Sequence, residues 1–594
     1  MNFTKPEIAE VVGERLLRES PRNLDGLINP QSIAVVGASD RPGSLSGRML
    51  RNLACSGFKG KTYLVNPARE SINGVKCYPS VEDLPEIPDV GVLTIPGPAV
   101  EAEIRRFGKV GLRNAVVYGA GFREAGGTGL ELEDRLVHAA NEFGINLSGP
   151  NTLGATNFSK GSTTSFSTIL EGVDWTPGNI AFVGQSGSLP SIVYVLAQRS
   201  GLRASHIIGT GNESVVDMVD YLAYLLDDPC TEHVCAYVEQ IARGREMIEI
   251  CRQYKAAGKS LVLLFGGRTM RGNQAAAFHT GAMKSNSFIS RSLLRDAGAV
   301  VVFSPEEAVA ALGMLSNRRL SEWRPRAAII AGSGGTAVST ADLAVDAGVS
   351  IPVLSDALQN RFKPKLSPLA VLKNPIDIMP SGFDNPQVVG DLVDTLISSG
   401  QVDFVIVVGA YDEPASVQMA STLVALPVAP NDAPVVTWFA SGQKVEAEFS
   451  KSNLPFVAVP RVCFAAIKAI LEAQGYMSGA KSVDPESEPR DVACLRSGLV
   501  FDFDLNASYG KFVTVGIAGA LASDEHLHRV CLLPKASPDL ADAVRCIPRI
   551  GRLLSNKQVD KCVALIQQFS TSSERREIFL AINGESIIPL GDIR

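Results

Sequence analysis

The feature that most constrains this chain is a rhythm met three times: an apolar strand, a glycine-rich turn, then a helical stretch. Ser32-Ile33-Ala34-Val35-Val36 runs into Gly37-Ala38-Ser39, Asn179-Ile180-Ala181-Phe182-Val183 into Gly184-Gln185-Ser186-Gly187-Ser188, and Ala327-Ala328-Ile329-Ile330-Ala331 into Gly332-Ser333-Gly334-Gly335. Uninterrupted apolar runs suit strands buried on both faces, the environment of a parallel sheet covered by helices. In the first unit a helix is predicted from about Ser46, with further strands at Thr62–Val65, Val90–Ile95 and Asn114–Tyr118. Strands alternating with helices imply α/β units. The three starts share an architecture; they are not a tandem sequence repeat.

Length and composition set the bounds around that rhythm. A chain of 594 residues is long enough for several domains. Hydrophobic residues at 45% and charged residues at 20% predict filled cores rather than disorder. The predicted layout is an N-terminal helix within 1–26, α/β units over 27–155, 156–318 and 325–474, a polar linker over 475–492 and a small α+β domain over 493–594. The N-terminal helix is amphipathic and covers Lys5–Glu19; the linker is read from Asp484-Pro485-Glu486-Ser487-Glu488-Pro489. In the tail, strands are expected at Leu499–Phe503, Phe512–Ile517 and Ile578–Ile582, with a helix at Val559–Gln568.

The formal net charge of -6 with no basic block argues against nucleic acid as a partner. The ten cysteines are scattered with no C-x-x-C pair and read as buried thiols of a reducing cytoplasm. No apolar run is long enough to span a bilayer, and the N-terminus has no signal-peptide core. The expectation is a soluble cytoplasmic protein without a membrane partner.

Chemistry is carried by four places. The turn Gly37-Ala38-Ser39-Asp40-Arg41-Pro42-Gly43-Ser44 aims main-chain N–H groups and a helix start at one point, which suits a phosphate. The full G-x-G-x-x-G spacing is absent, and the second strand ends in Val65-Asn66-Pro67 without the acidic residue that holds an NAD ribose, so NAD is disfavoured. Gly184-Gln185-Ser186-Gly187-Ser188-Leu189-Pro190 is a second anion-binding candidate: Ser186 and Ser188 bring hydroxyls, Gly187 allows close approach, and proline suits a first helical turn. Its second glycine comes one residue early for a nucleophile elbow, which weakens a serine-hydrolase reading. Glu239 ends the apolar strand Val234–Val238, where a carboxylate can orient an imidazole. His279 follows a glycine turn within Ala277-Phe278-His279-Thr280-Gly281-Ala282 and can carry a phosphoryl group, although a lone histidine is more often structural. His138, His206, His233, His526 and His528 fall in no metal-ligand spacing, and no metal site is expected; His526 and His528 read as surface residues.

Taken in order, these segments resemble the NDP-forming acyl-CoA synthetases, relatives of succinyl-CoA synthetase, over about Pro30 to Ala473. The matching segments are Val36–Gly43, Val65-Asn66-Pro67, Ala120-Gly121-Phe122-Arg123-Glu124 and Gly149-Pro150-Asn151-Thr152-Leu153-Gly154. Further along come Gln185–Leu189, Gly211-Asn212, Tyr237-Val238-Glu239, His279-Thr280-Gly281-Ala282 and Asn374-Pro375-Ile376-Asp377. The resemblance implies a CoA-binding Rossmann-like domain followed by two flavodoxin-like CoA-ligase domains. It implies that His279 is phosphorylated in turnover, that Glu239 steadies it, and that Ser186, Gly187 and Ser188 hold the phosphate. Coenzyme A would be held by Gly37, Ser39, Arg41, Ser44, Asn66, Pro67, Gly121, Phe122 and Asn151. The acid would meet Asn151, Thr152 or the Asn374–Asp377 loop.

The family also needs an ATP-grasp module to phosphorylate the histidine with ATP or GTP and Mg2+. The C-terminal tail resembles only the closing part of one, in Tyr509–Val513, Gly516–Gly519 and Ala581-Ile582-Asn583-Gly584. The acidic residue that normally precedes that asparagine is missing, which argues against magnesium binding there. Phe265 stands where the family often carries lysine. The expected protein is therefore an acid–thiol ligase that joins a small carboxylic acid to coenzyme A. It would work with a separate ATP-grasp subunit, as a homo-oligomer, or both. Two other readings stay open: a nucleotide-independent enzyme exchanging acyl groups between acyl-CoA and acyl phosphate, and a non-catalytic CoA-binding protein.

Overall fold

The computed structural model describes residues 22–41, 43–267, 271, 287–378, 387–426, 433–452 and 454–476, and in the C-terminal part 499–506, 510–517, 528–532, 560, 562–564, 576–583 and 586–593. The predicted helix at Lys5–Glu19, the linker at Ser478–Arg490, His526 and His279 with its surrounding segment lie outside the described residues.

The first unit is a seven-stranded sheet in the order β3-β4-β2-β1-β5-β6-β7. Its strands are β1 (Ser32–Val36), β2 (Lys61–Val65), β3 (Ser71–Ile72), β4 (Val75–Tyr78), β5 (Val90–Leu93), β6 (Asn114–Val117) and β7 (Asn146–Ser148). All neighbours run parallel except the small β3–β4 hairpin. β1 is buried along its whole length, as its uninterrupted apolar sequence requires. The chain moves outward on one side of β1 and then returns to pair β5 on the other, so the strand order reverses at β1. That reversal opens the crevice in which α/β sheets bind ligands. Helix α1 (Leu45–Cys55) starts there.

The second unit is a sheet in the order β14-β13-β12-β10-β11-β8-β9. Five parallel strands form its body: β10 (Ile180–Gly184), β11 (Ala204–Gly209), β12 (His233–Val238), β13 (Ser260–Phe265) and β14 (Val300–Val302). Counted within the unit this is the flavodoxin order 2-1-3-4-5, with its switch point between β10 and β12. A hairpin absent from the sequence reading, β8 (Ala155–Asn157) with β9 (Ser162–Thr163), closes the β11 edge in antiparallel sense. Helix α2 (Leu189–Arg199) follows β10.

The third unit repeats the same order, β16-β15-β17-β18-β19, from β15 (Ala327–Ala331), β16 (Ile376–Asp377), β17 (Phe404–Ala410), β18 (Val435–Phe439) and β19 (Phe456–Val457). Helix α3 (Gly334–Asp346) follows β15. One buried apolar cluster runs from the second sheet into the third, joining Phe182, Leu264, Leu312 and Trp323 to Ile329, Phe404 and Ile467. Burial of that many large side chains, worth ~1.5–3 kcal/mol each, makes the two units one packed body.

The tail forms a five-stranded antiparallel sheet, β22-β21-β20-β23-β24. Its strands are β20 (Leu499–Asn506), β21 (Gly510–Ile517), β22 (His528–Leu532), β23 (Arg576–Asn583) and β24 (Ser586–Ile593). The last of these was not expected from the sequence. No helix among the described residues is long and apolar enough to cross a membrane.

Candidate functional site

The residues singled out in the first unit gather at the carboxyl edge of its sheet. Gly37 leaves β1 with φ of +82°, and a Cβ there would come within 2.8 Å of Ile95 and 2.9 Å of the Thr94 hydroxyl. Only glycine supplies that turn without strain. Thr94 locks it from the β5 side, its hydroxyl donating to the Val36 and Gly37 carbonyls at 2.9 and 3.0 Å. Ser44 caps α1, accepting the Gly47 N–H at 3.1 Å. Ser39 accepts the Arg41 N–H through its hydroxyl and the Ser44 hydroxyl through its carbonyl. Arg41 stays exposed. A helix start, a glycine turn and an exposed guanidinium form a donor set that fits a phosphate-bearing ligand such as coenzyme A.

Asn66 plays a bracing part. Its amide donates to the Ala38 carbonyl at 2.8 Å and its side-chain oxygen accepts the Ala68 N–H, which ties the end of β2 to the turn and leaves Pro67 exposed beside it. Gly121 and Phe122 follow β6. The Phe122 ring is 1% exposed in the core, so only its main chain faces the edge. Asn151 sits just past β7 at φ of +59°, its amide 3.4 Å from the Asn212 side-chain oxygen of the second unit.

That last contact belongs to a polar seam between the two units. Glu133, fully buried, pairs with Arg123 at 2.8 Å and accepts hydrogen bonds from the Asn212 amide and the Ser214 hydroxyl at 3.0 and 2.6 Å. Glu124 accepts the Gly121 N–H, the Phe122 N–H and the Asn212 amide. Burial works to raise the Glu124 carboxyl, but these hydrogen bonds outweigh it and hold the group below the usual carboxylate range.

The second constellation lies at the switch point of the second sheet. The end of β10 pairs with both neighbours, Gly184 opposite Tyr237 on β12 and opposite Gly209 on β11. The next residue, Gln185, therefore lies between the strand ends that carry Glu239 and Thr210. Ser186 is half-buried, and Gly187 and Ser188 are exposed at the start of α2. Ser188 makes no side-chain cap, and the Ser188 and Leu189 N–H groups reach only the Ser186 hydroxyl, at 3.4 Å each. Such loosely engaged donors at a helix N-terminus suit an anion.

Gln185 organises the rest. Its side-chain oxygen accepts the N–H groups of Glu239 and Gln240 at 2.7 and 2.9 Å. Its amide donates to the Gln240 carbonyl and to Glu213, both at 2.8 Å. Glu213 also accepts the Thr210 hydroxyl at 2.8 Å. Burial and then the nearby Asp217 push the Glu213 carboxyl up to about 8, in spite of these donors. Tyr237 bonds to the Glu239 side chain; burial first and that carboxylate second raise its phenol. Gly266 gives the ring room, since a Cβ there would sit 2.5 Å from the Tyr237 hydroxyl.

Sequence reasoning found Ser186, Gly187, Ser188 and Glu239 but assigned no role to Gln185, Thr210, Glu213 or Tyr237. The available signal was a second polar residue at the end of each neighbouring strand. Phe265, at the lysine position of the family, is a buried β13 side chain. Asn374, a candidate for the acid, is spent on structure: its side chain brackets the Ile329 N–H and the Ala327 and Pro352 carbonyls. Thr152 is buried, and Asp377 ends β16 near the Gly334 turn.

With this geometry in place, known proteins give it a context. Residues 31–157 match the family described as CoA binding domain, and residues 177–315 match the succinyl-CoA ligase like flavodoxin domain. The dinucleotide-forming acetyl-coenzyme A synthetase 1 of Ca. Korarchaeum cryptofilum, solved with phosphate and ADP, superimposes with a TM-score of 0.69. It is 30% identical, over 76% of this chain and 97% of that one. The alpha subunit of ADP-forming acetate–CoA ligase II of Pyrococcus furiosus is 29% identical, over 77% of this chain and 99% of its own length. A trans-feruloyl-CoA synthase from an unknown prokaryotic organism is 32% identical, over 66% of this chain and 56% of its own. The chain belongs to the NDP-forming acyl-CoA synthetase family. It spans about half the length of several curated relatives it matches, and nearly all of the Pyrococcus alpha subunit.

Proposed function

We propose that the chain is the CoA-binding, phosphohistidine-bearing part of an acid–CoA ligase of the NDP-forming type. The observation that carries this is the switch point of the second sheet, where Ser188 starts its helix without a side-chain cap and Gln185, in the same turn, holds the main chain of Glu239. The helix N-terminus and the serine hydroxyls bind and orient phosphate. Glu239 accepts a hydrogen bond from the His279 ring N–H, fixing the tautomer whose other nitrogen takes the phosphoryl group.

A carboxylate oxygen of the acid then attacks phosphorus, the N–P bond breaks, and an acyl phosphate and neutral His279 result. Thioester formation releases inorganic phosphate. Coenzyme A supplies the thiol for that transfer; Gly37, Ser39, Arg41, Ser44 and the main chain at Gly121 and Phe122 would hold it. Asn66 and Pro67 shape the turn, and Asn151 stands at the seam between the units. Successive transfers through a covalent intermediate replace one difficult step.

The nucleotide, ATP or GTP with Mg2+, would phosphorylate His279 from an ATP-grasp module on a partner chain, as the alpha-subunit relatives suggest. The substrate is a monocarboxylic acid, the class named for relatives that act on acetate, 4-hydroxybutyrate and ferulate. The test is the reverse half-reaction. The purified chain, given acetyl-, hydroxybutyryl- or feruloyl-CoA, should release free thiol only when phosphate is present. Thiol release without phosphate would favour direct acyl transfer, and CoA binding with no release would favour a binding protein.

A further inference from the structure

We infer that Gln185 and Glu213 are positioning residues of the phosphate site: Gln185 sets the main chain that carries Glu239, and Glu213 fixes the Gln185 amide. This rests on the reading of Ser186–Ser188 and Glu239 given above.

The Gln185 amide makes four hydrogen bonds, two accepted and two donated, which is the whole capacity of a carboxamide. Three go to the main chain of residues 239 and 240, and the fourth goes to Glu213. An amide satisfied on every side has one orientation, and turning it over would oppose N–H to N–H. Glu213 selects that orientation from the β11 side, together with the Thr210 hydroxyl. Its neighbour Asn212 enters the Glu124–Glu133 seam, so the clamp is anchored to the unit that carries the Gly37 turn. Three strand ends meet on one side chain.

The protonation of Glu213 matters to what the clamp presents. Its carboxyl faces Asp217, which Arg243 pairs at 2.9 Å while also holding Asp220 at 2.8 Å. Tyr221 lies on the same side, its phenol raised first by burial, with Glu213 and Asp217 adding to the shift. Glu239 lies beyond Gln185, and Glu124 and Glu133 lie beyond Asn212. In these surroundings the carboxyl is pushed up to about 8, which favours its neutral form at pH 7. The Thr210 hydroxyl can donate or accept, so the neutral acid keeps its partner. Ionisation adds a negative charge to the clamp, one side chain removed from the main chain of Glu239.

The experiment follows the rate at which His279 is phosphorylated from acyl-CoA and phosphate, by intact mass, from pH 6.5 to 9.5. It compares wild type with Q185L, E213A and E213Q, and CoA affinity and amide exchange of residues 237–241 are measured alongside. Q185L and E213A should lose at least about 30-fold in rate and exchange the Glu239 and Gln240 amides at least about tenfold faster, with CoA affinity unchanged. E213Q should restore the rate at pH 7 relative to E213A and remove the fall above about pH 8 that wild type shows. Wild-type rates and exchange in Q185L, or identical pH profiles for wild type and E213Q, would overturn the inference. If wild type takes no phosphate at all, the proposed function fails. Amide exchange then decides the positioning role alone: unchanged protection in Q185L and E213A refutes it.

Discussion

The second and third units share a strand order, a glycine turn after the first strand and a helix behind it, yet they use the polar groups around that turn differently. In the third unit the turn spends its groups on itself. Ser333 caps α3 by accepting the Thr336 N–H, and its hydroxyl also meets the Thr336 hydroxyl at 3.0 Å. At the end of β17, the Tyr411 carbonyl is taken by the Trp438 indole and Asp412 accepts the Val445 N–H. In the second unit the helix starts at Ser188, which makes no side-chain cap, the first N–H groups reach only the Ser186 hydroxyl at 3.4 Å, and a glutamine gathers two strand ends around a carboxylate. Topology places a crevice at both switch points. What separates them is what the polar groups at the strand ends hold: in the second unit Gln185 holds the main chain of Glu239 and Gln240, and in the third the Tyr411 carbonyl and Asp412 are taken by Trp438 and Val445.

The largest effect should fall on Glu239. Replacement by Gln keeps the shape and removes the negative charge that orients and stabilises the imidazole, and should slow phosphorylation of His279 by about 10²-fold. The matching change at the third switch point, Asp412→Asn, should leave the rate untouched in the same mass-based assay. Equal losses at both positions would erase the distinction.

Acid should also separate the two units. His206 and His233 are buried in the second sheet, and burial lowers both to about 4, against the acidic neighbours Asp228 and Glu232. Their folded values lie below the ordinary 6.5, so the unfolded chain binds more protons between the two. Stability is therefore complete above pH 6.5 and falls as the pH drops toward 4, by up to about 3 kcal/mol for each histidine. Hydrogen exchange at pH 5 should show the second sheet opening before the third; the reverse order would contradict this placement of charge.

Gly37→Ala puts a methyl group into Thr94 and Ile95 at positive φ. It should cost about 1–3 kcal/mol in thermal unfolding and weaken CoA binding, while the Ser186–Ser188 turn keeps its structure. The smallest effects form a crossed pair. Ser333→Ala removes a cap and should cost about 1 kcal/mol of stability with no change in phosphorylation. Ser188→Ala removes no cap, so it should leave stability alone and slow phosphorylation. A stability loss from the Ser188 change would show that this helix start is structural like its counterpart.

How far the sequence discloses all this follows from the kind of signal each part leaves. Continuous apolar runs such as Ser32–Val36 and Ala327–Ala331 are strands because burial on both faces permits little else, so the three α/β units are legible. The β8–β9 hairpin leaves only a short run of Thr, Asn and Ser, and β24 carries Pro589 and Gly591, which blur an alternating pattern. The site residues that stand in glycine turns are visible because turn chemistry is local. Gln185, Glu213 and Glu239 come together only when β10, β11 and β12 are laid side by side, and nothing local marks Glu213 as lying near Asp217. The Asn374 motif is legible as a motif, but its role as a main-chain bracket is visible only in three dimensions.

The most direct test of the central claim is the intact mass of the purified chain after incubation with phosphate and a panel of acyl-CoAs, with His279→Ala as control. A single phosphoryl adduct that forms in the wild type, depends on acyl-CoA and is absent from the control is the predicted result. An unmodified wild type that still binds CoA, or an adduct that persists without His279, would contradict it.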